Sequence, residues 1–307
     1  MKKINFAIIG LGQISKYYIA ALAKNKHAEL LLVCDSNESR LSSFKSKNVI
    51  KTKDLAVVLN YSLLDAVIIT TPNHTHQDIV RKCLEANINV LCEKPLTVTL
   101  EGTRQLILLS QQKSLILKTA FHRKFNKNLK LFKKKLPKII KKIEVNYCEN
   151  ILEHSFGEKW YLNNKLSGGG CLMDNGINVV NYLEFLFGKL KLVQVKLFYL
   201  TGENGKYDIK SEIVLSCSKG NIQIILSWDY PGERKDIVIT TSKDRKITLN
   251  FLKGYKKFKS SLYHEYKLLL EDYCKRIIDK KNEPDKECLS AIKIIDSIYK
   301  KSEKINL

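Results

Sequence analysis

Six residues, Ile4-Asn5-Phe6-Ala7-Ile8-Ile9, lead directly into Gly10-Leu11-Gly12-Gln13-Ile14-Ser15. Beyond them Ile14, Tyr17, Tyr18, Ala21 and Leu22 recur at i, i+3, i+4, i+7 and i+8, the spacing of one helix face. A buried strand, a glycine turn and an amphipathic helix in that order leave few folds open. Gly10 permits a tight turn, and Gly12 lets backbone approach a pyrophosphate seated on the helix N-terminus. Ser15 stands where a third small residue is usual, and its short side chain still allows the helix to pack closely on the strand.

The same unit then repeats. A second apolar strand, Glu29 to Cys34, ends in Asp35, where an acid can accept both ribose hydroxyls of NAD and repel a 2′-phosphate. Asp35, Ser36 and Asn37 all favour helix N-caps as well, and Arg40 one turn on leaves room for NADP. A short strand at Val49-Ile50 and a helix at Leu55 to Leu59 precede a fourth strand, Leu64 to Ile69. That strand ends at Thr71-Pro72-Asn73-His74-Thr75-His76, and Thr75 with Asp78 reads as a capping box for the next helix. Beside this edge His76 suits a structural or helix-start role better than a catalytic one. Ile88 to Cys92 makes a fifth strand and runs into Glu93-Lys94-Pro95. Proline ends the strand, which puts Glu93 and Lys94 at its carboxyl end, where open parallel sheets bind ligands. A helix at Leu100 to Gln112 and a strand at Leu115 to Ala120 follow, and His122-Arg123 is expected to face the cleft.

From Val193 the period changes to two. Val193, Val195, Leu197 and Tyr199 alternate, as do Ile213, Leu215 and Cys217, then Ile222, Ile224, Leu226 and Trp228. Turns are expected at Gly202–Gly205, at Lys219-Gly220-Asn221 and at Pro231-Gly232, giving a sheet of consecutive hairpins. Phe198, Leu200 and Ile225 put apolar groups on the second face, which calls for a cover, and another subunit would supply one. Helices over Ser261–Lys280 and Lys286–Glu303 close the chain.

The ordered set Gly10/Gly12, Asp35, Thr71-Pro72-Asn73 with His76, and Glu93-Lys94-Pro95 resembles the Gfo/Idh/MocA family of oxidoreductases. The likeness extends to Trp160-Tyr161 and to Gly168-Gly169-Gly170-Cys171-Leu172-Met173-Asp174-Asn175-Gly176-Ile177-Asn178, similar to a triple glycine followed by D-x-G-x-H. It implies an α/β chain in two parts: an N-terminal Rossmann domain with a doubly wound parallel sheet, and a C-terminal α+β domain with a large, mainly antiparallel open sheet. Residues 1–122 and 123–307 are assigned to them. The implied activity is that of an NAD(P)-dependent dehydrogenase or reductase, moving a hydride between nicotinamide and a hydroxyl or keto carbon of a sugar, polyol or sugar derivative. Gly10, Gly12, Gln13, Ile14, Asp35, Thr71, Pro72, Asn73, His76, Glu93 and Lys94 are the implied cofactor set, with NAD expected over NADP. Lys94, Asp174 and Asn178 are the implied catalytic set. His122, Arg123 and Trp160 join those three on the substrate, Arg123 for an anionic group on it.

One position departs from the pattern. Asn178 occupies the histidine's place, and an amide can hold a hydroxyl but does not titrate. Lys94 is the first candidate to carry the proton instead, with His122 and His154 behind it. Two other readings stay open at this point: a cofactor-binding protein without turnover, and a reductase of an imine or conjugated double bond.

Composition bears on the partners. The net charge of +22 invites a nucleic-acid reading, but the excess is lysine, with only seven arginines, and it is spread along the chain. In its densest stretch, Lys124 to Lys142, the residues Phe125, Leu129, Phe132 and Leu136 keep an apolar stripe, as in a helix with a solvated basic face. No nucleic-acid partner is expected. The eight cysteines form no C-x-x-C pair and no His-Cys cluster, so a reducing, cytoplasmic setting is expected and no metal. The apolar run behind Lys2-Lys3 lacks a cleavage site of small residues, and no stretch nears the roughly 18 apolar residues of a membrane span. A homodimer or homotetramer through the C-terminal sheet completes the expectation.

Overall fold

The computed structural model describes residues 3–155, 157–255 and 259–307. In chain order the first part runs β1 (Ile4–Ile9), α1 (Ser15–Leu22), β2 (Ala28–Cys34), α2 (Glu38–Ser43), β3 (Ile50–Thr52), α3 (Leu55–Leu59), β4 (Ala66–Ile69), α4 (Asn73–Glu85), β5 (Asn89–Cys92), α5 (Leu100–Gln112) and β6 (Leu117–Thr119). Its strands form one parallel sheet in the order β3-β2-β1-β4-β5-β6. The order reverses between β1 and β4, the switch point at which doubly wound sheets bind ligands. Phe6, Ala7, Ile8, Val67, Ile68, Ile69, Val90 and Leu91 are buried, as a sheet covered on both faces requires.

The second part runs α6 (Lys127–Lys134), β7 (Ile140–Asn150), α7 (Ile151–Ser155), α8 (Asn164–Ser167), α9 (Ile177–Phe187), β8 (Lys191–Gly202), β9 (Gly205–Cys217), β10 (Gly220–Ser227), β11 (Asp229–Thr241), β12 (Lys246–Asn250), α10 (Ser261–Ile278), α11 (Lys286–Lys301) and β13 (Glu303–Asn306). The second sheet has the order β12-β11-β7-β10-β9-β8-β13. Its pairs are antiparallel except β10 with β7 and β13 with β8.

Several expectations need correcting. The basic helix stops at Lys134, because Pro137 cannot continue it, and β7 begins at Ile140 inside the stretch read as helical. The sheet is therefore not a run of consecutive hairpins: β7 lies between β10 and β11. Pro231-Gly232 is not a turn between strands. It sits within β11, where the register against β7 shifts between Asp229 and Glu233, as at a bulge. Of the three cap candidates Asn37 is the one that caps α2, its side chain accepting from the Ser39 amide. No capping box forms at Thr75, because α4 starts at Asn73 behind Pro72.

The division into 1–122 and 123–307 also changes. The chain separates into one unit of 1–97, 101–122 and 262–286, and another of 98–100, 123–261 and 287–307. In this division α10 folds with the parallel sheet. Its side chains explain why: Tyr266 packs edge-on to Tyr18 at 4.8 Å, and the buried Tyr273 lies 6.3 Å from Phe6.

In the second unit the triple glycine does the work its sequence suggested. Gly168 and Gly169 have φ of +81° and +159°, and β-carbons on them would collide with Val98 and with the Tyr299 hydroxyl. A β-carbon on Gly170 would penetrate the Asp208 backbone. The close approach lets the buried Asp208 carboxylate accept from the Leu172 amide at 2.7 Å and from the Tyr299 hydroxyl at 2.8 Å. Leu172 opens a π-helical turn, Leu172–Gly176, that runs into α9. Gly170→Ala must push Asp208 and the strand β9 aside, so it is expected to cost about 1–3 kcal/mol or more of stability. Denaturant unfolding checks this; a Gly170→Ala variant as stable as the parent would show that the contact yields freely.

Candidate functional site

In the first unit, backbone bonds around β1 build a loop open to a ligand. Gly10 has φ of +94°, and a β-carbon there would lie 2.8 Å from the Thr70 carbonyl carbon. The Thr70 hydroxyl donates to the Gly10 carbonyl at 2.5 Å, and the Gly10 amide donates to Cys34 at 2.8 Å. Above Gly12 the nearest atom to such a carbon is the Thr70 oxygen, 3.9 Å away. Gln13 and Ile14 follow at the start of α1, where a helix leaves its first amides without partners in the helix. Asp35 is buried at the tip of β2, with Oδ2 accepting from the Leu11 amide at 2.6 Å and Oδ1 from the Asn37 amide at 2.8 Å. Arg40 Nη1 lies 3.7 Å from Oδ2. Each carboxylate oxygen can accept more than one bond, so Asp35 is oriented without being used up. A glycine cradle that a β-carbon would fill and an oriented acid beside it fit a dinucleotide with free ribose hydroxyls.

The β4 and β5 loops are tied together by His76. Its ring is fully buried, with Nδ1 2.7 Å from the Pro95 carbonyl and Nε2 2.8 Å from the Thr71 carbonyl. Burial lowers its pKa. Thr71, Pro72 and Asn73 form the entry to α4, and the Thr75 hydroxyl donates to Thr71 Oγ1 and to the Pro72 carbonyl. Lys94 is half-buried at the end of β5. Its neighbour Glu93 is buried, accepts from the Tyr18 hydroxyl at 2.9 Å, and titrates near 7. Burial raises it there, against the opposing pull of Lys94 and the hydroxyls of Tyr18 and Tyr266. His122 joins this group rather than Arg123's: its Nδ1 lies 2.6 Å from Glu265 Oε2 and its ring stacks on Tyr266 at 4.9 Å.

The second unit carries the other motif residues. Asp174 lies in the π-helical turn, and Asn178 follows four residues later at the start of α9. Asn178 is 2% exposed, and its Oδ1 has no hydrogen-bond partner among the described residues. Between them Asn175 donates to Glu149 Oε1 at 2.9 Å. Glu149 Oε2 in turn lies 2.6 Å from the ammonium of the buried Lys235, which reaches Glu233 at 2.5 Å. Burial alone would lower the Lys235 pKa, but the carboxylate of Glu149 leads a set of charges that carries it upward. Arg123 is buried, donating to the Tyr147 hydroxyl at 3.0 Å and lying 3.4 Å from Ser261 Oγ. Trp160 stacks on Tyr161 at 3.9 Å in a 3-10 turn. The side chain of His154 lies outside the described residues. Sequence reasoning missed the buried pair of Glu149 and Lys235. Neither sits in a motif, and only the pairing of β7 with β11 brings them together.

One unit is a Rossmann unit with a glycine cradle and a buried acid at the tip of β2, and the other is an open-sheet unit carrying Asp174 and Asn178. Residues 4–121 match the Gfo/Idh/MocA oxidoreductase family's NAD-binding Rossmann fold, and 139–246 match that family's C-terminal domain. The chain belongs to the Gfo/Idh/MocA family. It is 31% identical over 132 residues to myo-inositol 2-dehydrogenase of Thermotoga maritima, covering 42% of this chain and 40% of that one. It is 28% identical over 252 residues to scyllo-inositol 2-dehydrogenase (NADP(+)) IolU of Bacillus subtilis, covering 78% and 76%. The crystal structure of GenD2 from gentamicin A biosynthesis, in complex with NAD, superposes with a TM-score of 0.86 at 17% identity, covering 98% of this chain and 94% of that one.

The Glu93 carboxyl makes a pH prediction. Unfolded, it loses its proton near 4.5; folded, it keeps it to about 7. Across that window the native state binds more protons, so this group's contribution to stability falls as pH rises and is constant above it. Glu93→Gln removes the penalty and is expected to gain on the order of 1–3 kcal/mol relative to the parent between pH 5 and 8. Urea unfolding at the two pH values checks it; a parallel pH dependence in both proteins would reject the assignment.

Proposed function

We propose that this chain is an NAD-dependent oxidoreductase of a sugar, polyol or sugar derivative, interconverting a hydroxyl and a carbonyl carbon. The observation that carries the reading is the buried, unpartnered Oδ1 of Asn178 next to Asp174 in the family's motif. A buried acceptor left unpaired is costly, and a ligand hydroxyl is the donor that would satisfy it. Asp174 adds a second acceptor on the same segment, which suits a compound with several hydroxyls.

In this reading the backbone at Gly10, Gly12, Gln13 and Ile14, with Asp35 and the Thr71-Pro72-Asn73 loop, holds the cofactor, while His76 and Glu93 fix the two loops. The nicotinamide, when bound, supplies the hydride chemistry. Lys94 meets the substrate oxygen and stabilises the alkoxide charge that develops there. Asp174 and Asn178 hold the hydroxyls that orient the reacting carbon. Trp160 offers an apolar face to the ring. Arg123 and His122, both buried and engaged, shape their surroundings; an anionic substrate is not required by them.

The second sheet supports a homo-oligomer. Val193 is 56% exposed on β8 and Ile225 is 42% exposed on β10, apolar side chains that a second copy would cover. Among the described residues no helix is long and apolar enough to cross a membrane, and a cytoplasmic enzyme is part of the proposal.

Two measurements test the reading. Asp35 should make NAD bind at least about tenfold, or 1.4 kcal/mol, tighter than NADP. Fluorescence titration with both reduced cofactors decides it, and equal affinities, or an NADP preference that survives Asp35→Ala, would refute it. Lys94→Met should abolish turnover with NAD affinity nearly unchanged, whereas Asn178→Ala should cost about 1–3 kcal/mol in kcat/KM, the loss of a buried hydrogen bond. Steady-state kinetics over a panel of sugars and inositols reads both; full activity in Lys94→Met removes that residue from the mechanism.

A further inference from the structure

We propose that Glu149, held by Lys235, is a positioning residue for the reaction: it fixes the Asn175 amide, and with it the seat of the turn that presents Asp174 and Asn178. The inference deepens the oxidoreductase reading above and rests on it. Asn175 is buried in the π-helical turn, one residue after Asp174 and three before Asn178. Its Nδ2 donates to Glu149 Oε1 at 2.9 Å. The buried Glu149 ends the central part of β7, and its Oε2 lies 2.6 Å from the Lys235 ammonium. That ammonium is fixed from two further sides, by Glu233 Oε1 at 2.5 Å and by the Tyr147 ring, 4.8 Å from its centroid. Tyr147 is itself held, accepting from Arg123 Nε at 3.0 Å.

Joining two strands does not call for such a set. The register of β7 against β11 places Glu149 opposite Glu233 and Tyr147 opposite Lys235. Like charges directly opposite one another are destabilising, and burying ions costs more than burying apolar side chains of similar size. The strands already share a backbone ladder. What the charged set supplies, and apolar residues could not, is an oriented acceptor against Asn175. A carboxylate can only accept, so Asn175 must turn its amino group toward Glu149 and its carbonyl oxygen away. Lys235 holds the second carboxylate oxygen, so Glu149 cannot rotate out of this bond without losing its ion pair. A shift at Asn175 moves the residues on either side of it, and a misplacement of about 1 Å at a reacting centre costs about a hundredfold in rate.

The competing role is a brace between β7 and β11 with no bearing on the turn. Exchanging donor and acceptor between the two partners separates the roles. In Glu149→Gln, Lys235 keeps Glu233, so no lone buried charge is created. The ammonium draws the new amide's oxygen, which turns an amino group onto that of Asn175. In Asn175→Asp two carboxylates meet. The double variant Glu149→Gln/Asn175→Asp keeps the net charge and restores the hydrogen bond with its direction reversed.

The probe is the fastest substrate of the parent in a panel of hexoses and inositols, assayed with NAD. Each single variant is expected to lower kcat about 30- to 100-fold, with NAD affinity unchanged and circular dichroism showing a folded protein at the assay temperature. The double variant is expected to recover to within about fivefold of the parent, a coupling that independent sites do not show. A brace alone predicts lower melting temperatures in the Glu149 variants and parent-like kcat in both single variants. Asn175→Ala leaves the three charges in place, so it carries the test if Glu149→Gln or Asn175→Asp does not fold. Parent-like kcat in Asn175→Ala, or a double variant no faster than the slower single one, would overturn the inference and leave the oxidoreductase reading standing. A parent that binds NAD but turns over no hydroxylated compound would overturn that reading, and this inference with it.

Discussion

The buried Asp208 carboxylate holds the second unit's site in place. It accepts from Leu172 at the start of the π-helical turn and from Tyr299 on α11, so a single group joins β9, the motif segment and a helix more than ninety residues on in sequence. Burial raises the Asp208 pKa, with the Leu172 and Tyr299 bonds pulling the other way. Such a group is tolerable only when its hydrogen bonds are made. Those bonds need Gly170 against the Asp208 backbone, and the glycine run follows from that. The π-helical turn closes its hydrogen bonds one residue further along the chain than an α-helix does, a geometry found at functional sites more often than elsewhere. Asp174 is presented by that turn, not by the regular helix behind it.

The first unit uses the same principle with different chemistry. His76 bridges two carbonyls, one on each loop that follows a central strand. A neutral imidazole donates from only one nitrogen, so one of these short contacts gains a proton only if the ring is charged, while burial favours the neutral ring. Glu93, next to Lys94, is likewise held back from ionising by burial and receives the Tyr18 hydroxyl. The cation that the proposed chemistry needs is therefore set among groups whose protonation the fold controls.

How much of this was legible follows from the range of the interactions. The parallel sheet, the glycine cradle, Asp35 and the β5 terminus are local patterns: an apolar run and the residue that ends it. They were readable, and so were α3 and α5 to the residue. β7 was hidden, because Lys141, Lys142 and Glu144 interrupt its apolar positions and only pairing with β10 and β11 makes it a strand. The return of α10 to the first unit was invisible for the same reason: its amphipathic pattern says that one face is buried, not against what. Asp174 and Asn178 were found by motif. Glu149 and Lys235 were not, since a buried ion pair between two strands leaves no spacing in the sequence.

Asn178 shows how one substitution redistributes chemistry. A histidine there would bring its own titration and could donate or accept. The amide brings a fixed acceptor and a fixed donor, and the acceptor is buried without a partner. The segment thereby gains a position that a hydroxyl can satisfy and loses its means of moving a proton. Nearby titratable groups must then be judged by their environments, not by their types. Glu149 and Glu233 share the one ammonium of Lys235, and close ion pairs of this kind are poor at changing state, because taking the proton from the ammonium would leave two carboxylates without their counter-charge.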